Sequence, residues 1–186
     1  MNVIFLNGPS SSGKTSLARE LQRQLSEYYL YFGVDDFIAM MPAKSNCFEG
    51  TSKCDGFYWK DVALPNGETG KLIASGEYGA KIEESFRIVV KTLLDNGINL
   101  IVDNVIDGNK EMPIWKSLLA EHSTCFVGIF CSLETLKERE NERNGRMLGS
   151  AAEQYFRTHE GVKYDIEVDT GSDFVEICAN QVIQQI

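Results

Sequence analysis

Residues 8–15 read Gly-Pro-Ser-Ser-Ser-Gly-Lys-Thr and fit the pattern G-x-x-x-x-G-K-[ST]. No other stretch restricts the fold so tightly, because the pattern works only between a buried strand and a helix. Both neighbours are present. Residues 2–7, "NVIFLN", are a short continuous apolar run that suits a strand covered on both faces. From Lys14 to Leu25, Leu17, Ala18, Leu21 and Leu25 recur at helical spacing. Gly8 and Gly13 let the backbone curl so that its N–H groups converge on phosphate oxygens. A helix starting at Lys14 adds the positive end of its dipole. Lys14 offers a mobile point charge to β- and γ-phosphates, and the Thr15 hydroxyl is a ligand suited to Mg²⁺. The stretch Gly8, Pro9, Ser10, Ser11, Ser12, Gly13, Lys14, Thr15 and Ser16 is therefore expected to hold ATP. The bland alternative is a glycine turn that merely starts a helix; the full motif in its proper context argues against it.

The remaining chain repeats this alternation. Apolar runs at 29–34, 98–105, 124–131 and 165–170 read as further strands. Helical patterns cover 76–96, 109–121, 133–146, 149–158 and 172–185, with a short helix at 35–42. Strands separated by helices imply a parallel sheet covered on both faces. The expectation is a single α/β domain over 1–186: a doubly wound, parallel five-stranded sheet with helices on both faces. Residues 43–75 stand apart, with four glycines, a cluster of aromatics and little periodicity. They read as a non-regular insert enclosing an acceptor, and 137–150 reads as a lid.

Composition excludes several classes. With 27 acidic against 18 basic residues the net charge is −9, which argues against nucleic-acid binding through a basic surface. No apolar stretch approaches the roughly 20 residues that span a bilayer, so no membrane partner is expected and the protein is read as cytoplasmic. Cys47, Cys54, Cys125, Cys131 and Cys178 are odd in number and form no CxxC pair. Buried reduced thiols are expected.

Three further groups of residues bear on chemistry. Asp103 closes "INLIVD", where a carboxylate could hold Mg²⁺ and its water shell; a solvated strand end is the alternative. Asp35 and Asp36 follow the second strand, at the edge where ligands collect in parallel sheets. Position alone leaves two roles open, a base taking the proton of an attacking hydroxyl and a helix N-cap, with Asp35 the better base and Asp36 the better cap. Arg139, Arg143 and Arg146 share one face of the charged helix 133–146, among Glu138, Glu140 and Glu142. They suit a lid closing over the transferring phosphoryl group, as against a solvated face of i,i+4 ion pairs.

These residues resemble the chloramphenicol phosphotransferase-like P-loop kinases, relatives of the nucleoside-monophosphate and shikimate kinases. The resemblance runs nearly end to end: "LNG" (6–8), "FGVD" (32–35), "MP" (41–42), "EG" (49–50), "IVDNV" (101–105), "VGIFC" (127–131), "ERENER" with Arg146, and "HEGVKYDIEVDT" (159–170). It implies a nucleotide-kinase-like P-loop fold, with ATP and Mg²⁺ at Gly8 to Thr15 and a lid in the arginine-rich helix. It also implies that Asp35 deprotonates an acceptor hydroxyl on a small molecule, a chloramphenicol-like antibiotic or related alcohol. A nucleoside or nucleotide-sugar kinase, or an ATP-binding switch without a small acceptor, are the other readings. Oligomeric state is not legible.

Overall fold

The computed structural model describes residues 1–50, 52–142 and 147–186. Its centre is a five-stranded, all-parallel sheet in the order β2–β5–β1–β6–β7. These strands are β1 (Val3–Asn7), β2 (Tyr29–Gly33), β5 (Asn99–Asn104), β6 (Thr124–Phe130) and β7 (Ile166–Asp169). The helices are α1 (Lys14–Gln24), α2 (Val34–Ala39), α3 (Glu77–Asp95), α4 (Gly108–Leu118), α5 (Leu133–Glu142), α6 (Ser150–Arg157) and α7 (Val175–Gln185). The doubly wound sheet expected from the sequence is the fold, and each element lies within a few residues of its expected place.

Alternation along β1 builds the two covered faces. Ile4 and Leu6 pack with Leu17, Leu21, Cys178 and Val182 under α1 and α7. Val3 and Phe5 pack with Phe86, Val90, Trp115 and Leu119 under α3 and α4. These four apolar side chains of β1 are fully buried, which explains the unbroken apolar run. The register aligns the strand ends: Leu6 and Gly33 both sit opposite Asp103. The loop after β1, α2 and Asp103 therefore meet at one edge of the sheet.

The expectation of an aperiodic insert at 43–75 is corrected. Strands β3 (Phe57–Ala63) and β4 (Thr69–Ser75) form an antiparallel hairpin with Phe57 opposite Ser75 and Ala63 opposite Thr69. Its turn contains Asn66–Gly67, with Gly67 at φ 83°. That dipeptide is a hairpin signal which the surrounding glycines and aromatics obscured. The thiol expectation is corrected too. Cys125, Cys131 and Cys178 are buried, whereas Cys47 and Cys54 are only half-buried; all five are reduced.

Candidate active site

The loop between β1 and α1 is shaped by two left-handed residues, Ser11 at φ 66° and Gly13 at φ 88°. Such alternation turns successive N–H groups into one concavity, a nest for an anion. Gly8 has no room for a side chain: a Cβ would lie 2.7 Å from the Ile129 carbonyl oxygen. Beneath the loop, Asn7 is fully buried, donates to Thr158 O at 3.2 Å and Tyr164 Oη at 2.7 Å, and accepts from Ile106 N at 3.1 Å. Thr170 at the end of β7 donates to Ser12 O. The loop is thus held from below by side chains drawn from distant parts of the chain.

Lys14 is buried and donates from Nζ to Gly8 O at 2.8 Å and Pro9 O at 3.0 Å, and it stands 3.9 Å from Asp103 Oδ1. The hydroxyls of Ser11 and Ser12 are buried without a partner in the protein. Buried polar atoms are seldom left unsatisfied, so the Ser11 hydroxyl is suited to a ligand rich in acceptor oxygens. Thr15 Oγ1 lies 3.3 Å from Asp103 Oδ2, and Tyr31 Oη lies 2.8 Å from that same oxygen. Burial raises the pKa of Asp103, opposed by Lys14 and by the Tyr31 and Thr15 hydroxyls. Burial, followed by the charge of Asp103, pushes the Tyr31 hydroxyl up as well, so it remains a donor.

A cavity of about 1270 Å³ opens from this loop. Ser10, Ser11, Gly13, Lys14 and Thr15 line it, as do Asp35 and Asp103. Gly8 and Pro9 instead offer carbonyls to Lys14, Ser12 supports the loop from within, and Ser16 is exposed on α1. The two neighbouring acids have different surroundings. Asp36 Oδ2 accepts from Gly33 N at 3.1 Å and so caps α2, whereas Asp35 is exposed at the cavity wall. The lining also includes the aromatic residues Phe48, Phe57, Trp59, Phe86 and Trp115, and Glu83. Burial and then Glu111 raise the pKa of Glu83.

Arg139 does not line the cavity. Its guanidinium donates to Thr170 O at 2.8 Å and approaches Cys131 Sγ at 3.6 Å, on the β7 side of the loop. Arg143 and Arg146 lie outside the described residues. The cavity instead receives Arg87 from α3 and Arg157 from α6, paired with Glu84 and Glu153 respectively. Sequence reading missed both, and no motif marks them. It also missed Gln154, whose Oε1 accepts the Ser10 N–H, and Tyr31. Among the described residues no cluster of three or more His, Cys, Asp or Glu could hold a metal. Nor is any described helix long and apolar enough to cross a membrane.

His159 underlies the same floor. It stacks on Phe130 with ring centroids 4.0 Å apart, and its ring nitrogens lie 2.7 Å from Tyr164 Oη and 3.2 Å from Ile129 O. Since Tyr164 Oη accepts from Asn7, it donates to Nδ1, and the neutral ring donates from Nε2 to Ile129. Burial lowers the His159 pKa from 6.5 to about 4. Between these values the unfolded chain binds more protons than the folded one, so stability falls as pH drops from about 6.5 to about 4. Thermal melting across that window is expected to show this loss, and His159→Gln to flatten it relative to its own neutral-pH value. An equally steep fall in the variant would assign the acid sensitivity elsewhere.

Known proteins agree with this architecture. Over its full length the chain aligns with a Janibacter sugar kinase (TM-score 0.66, 17% identity, 100% of this chain and 94% of the other). It aligns similarly with the Mycobacterium tuberculosis APS kinase, solved in complex with AMPPNP and APS (TM-score 0.65, 14% identity, 99% and 96%). In sequence it is 28% identical over 190 residues to a Mycobacterium tuberculosis protein bearing a provisional O-phosphotransferase name, covering 97% of this chain and 80% of the relative. The sequence profile of the chloramphenicol phosphotransferase-like proteins matches residues 1–186. The chain belongs to the chloramphenicol phosphotransferase-like family and is a phosphotransferase.

Proposed function

We propose that the protein transfers the γ-phosphate of ATP, with Mg²⁺, to a hydroxyl of a small molecule, and that Asp35 is the general base. The observation that carries this reading is the sharing of one cavity by the glycine loop, Asp103 and Asp35. A phosphate held by the loop and an alcohol beside Asp35 would face each other across that cavity. Transfer of a phosphoryl group asks little covalent chemistry of a protein, so positioning and charge stabilisation carry the rate. The loop N–H groups, the Ser11 hydroxyl and Lys14 bind and orient the phosphates. Asp35 accepts the acceptor's proton as its oxygen attacks phosphorus and the bond to the β-phosphate oxygen breaks. Thr15 and Asp103 present hard oxygens within hydrogen-bond reach of each other, a donor pair that fits Mg²⁺. When bound there with the nucleotide, Mg²⁺ supplies neutralisation of phosphate charge. Arg157 and Arg87 are placed to meet charge on the cavity side. Arg139, Arg143 and Arg146 keep the lid role proposed from sequence, with Arg139 acting from the β7 side of the loop.

The aromatic residues in the cavity lining suit an acceptor with a flat apolar body, as in a chloramphenicol-like antibiotic or a related alcohol. An ADP-coupled assay over chloramphenicol, nucleosides and sugars tests the reading. At least one alcohol is expected to raise ADP release about tenfold over the acceptor-free rate, a change of about 1.4 kcal/mol in barrier. Slow release indifferent to every alcohol would favour an ATP-binding switch instead.

A further inference from the structure

Tyr31 occupies a place that neither the motif nor the acceptor chemistry accounts for. It lies on β2, paired with Ile101 of β5, and its side chain reaches the junction of three elements. Its hydroxyl is 2.8 Å from Asp103 Oδ2 and 3.4 Å from Thr15 Oγ1. The Arg19 guanidinium lies over its ring, 4.7 Å from the centroid. The two oxygens of Asp103 are thereby given separate partners: Oδ2 accepts from Tyr31 and Thr15, while Oδ1 faces Lys14 at 3.9 Å. The strand end is also crowded against this hydroxyl. A Cβ at Gly33 would lie 3.4 Å from Tyr31 Oη and 3.2 Å from Asp36 Oδ2.

We propose that Tyr31 is a positioning residue whose hydroxyl orients the Asp103 carboxylate beside Thr15 and so sets how strongly a divalent cation is taken up with the nucleotide. This rests on the phosphotransfer reading of the cavity. Without the hydroxyl, Asp103 Oδ2 keeps only the longer Thr15 contact, and the carboxylate is free to turn towards Lys14. Outer partners of a ligating carboxylate commonly change metal affinity about 10–100-fold when removed.

The test is a Mg²⁺ titration of ATP binding, read from intrinsic fluorescence without turnover. The protein has two tryptophans, Trp59 and Trp115, and both line the cavity. Tyr31→Phe is expected to raise the Mg²⁺ concentration at half-saturation about tenfold or more. ADP affinity in the presence of EDTA should stay at the wild-type value. Tyr29→Phe removes a hydroxyl bonded to Met1 O at the other end of the strand and should leave the Mg²⁺ titration unchanged. Tyr31→His, which keeps a ring donor, should fall between wild type and Tyr31→Phe and serves if the latter folds poorly. An unchanged half-saturation in both Tyr31 variants overturns the inference, as does an equal loss of metal-free ADP affinity. A wild type that binds no nucleotide at any Mg²⁺ concentration would instead refute the phosphotransfer reading itself.

Discussion

Asp35→Asn is expected to lower phosphoryl transfer by about 10²–10⁴-fold while nucleotide affinity stays close to wild type. The substitution keeps the size and polarity of the side chain and removes its basicity and its charge. Asp35 is exposed in the first turn of α2 and lines the cavity. Deleting one negative charge near the phosphates would favour nucleotide binding slightly, not weaken it. The neighbouring acid supplies the contrast. Asp36→Asn perturbs the cap on Gly33 N and should cost about 1 kcal/mol of stability or less with turnover largely retained. Both variants are to be measured for kcat with an accepted alcohol and for ATP affinity by equilibrium binding. Normal turnover in Asp35→Asn would remove the base assignment, and a collapse of ATP affinity would place Asp35 in the nucleotide site instead.

The sheet was legible because its strands are buried on both faces and therefore written as apolar runs, "VIFL" in β1 and "LIV" in β5 being the clearest. The glycine loop was legible because its geometry needs particular residue types in sequence. Position favoured Asp35 as base and Asp36 as cap; the bond from Gly33 N to Asp36 Oδ2 agrees with the second of these. What sequence could not supply are partners brought together from far apart. Tyr31 and Asp103 are 72 residues apart, and Ser10 and Gln154 are 144 apart. Arg87 and Arg157 look like ordinary members of i,i+3 and i,i+4 pairs until the helices are placed around the cavity. The hairpin was missed for a different reason. Its signal is local, but four nearby glycines and the surrounding aromatics made the segment look irregular.

Glu140→Ala is expected to cost about 3–5 kcal/mol, because it strips the acceptor from three donors at once. On the charged helix α5 this residue reads as one more solvated acid. It is instead only 3% exposed. Its Oε1 accepts from Ser150 Oγ at 2.7 Å and Ala151 N at 2.8 Å, and its Oε2 accepts from Gly149 N at 2.8 Å. Gly149 sits at φ 92° and Ser150 opens α6, so the carboxylate caps that helix from a neighbouring one. The first N–H groups of a helix lack intrahelical partners, and a negative charge there is favoured by the dipole. Alanine would leave the Ser150 hydroxyl and the Ala151 N–H buried and unsatisfied, and the half-buried Gly149 N–H without its acceptor. For a domain of this size each kcal/mol moves the melting point about 2–4 °C, so a drop on the order of 10 °C is expected. Glu140→Gln keeps one carbonyl oxygen in place and should lose markedly less. The order Ala below Gln below wild type separates capping from simple loss of volume. Since α6 carries Gln154 to the glycine loop and Arg157 to the cavity, the Ala variant should also weaken ATP binding at temperatures where it is still folded. A melting point within 2 °C of wild type would show that α6 does not depend on this carboxylate for its start.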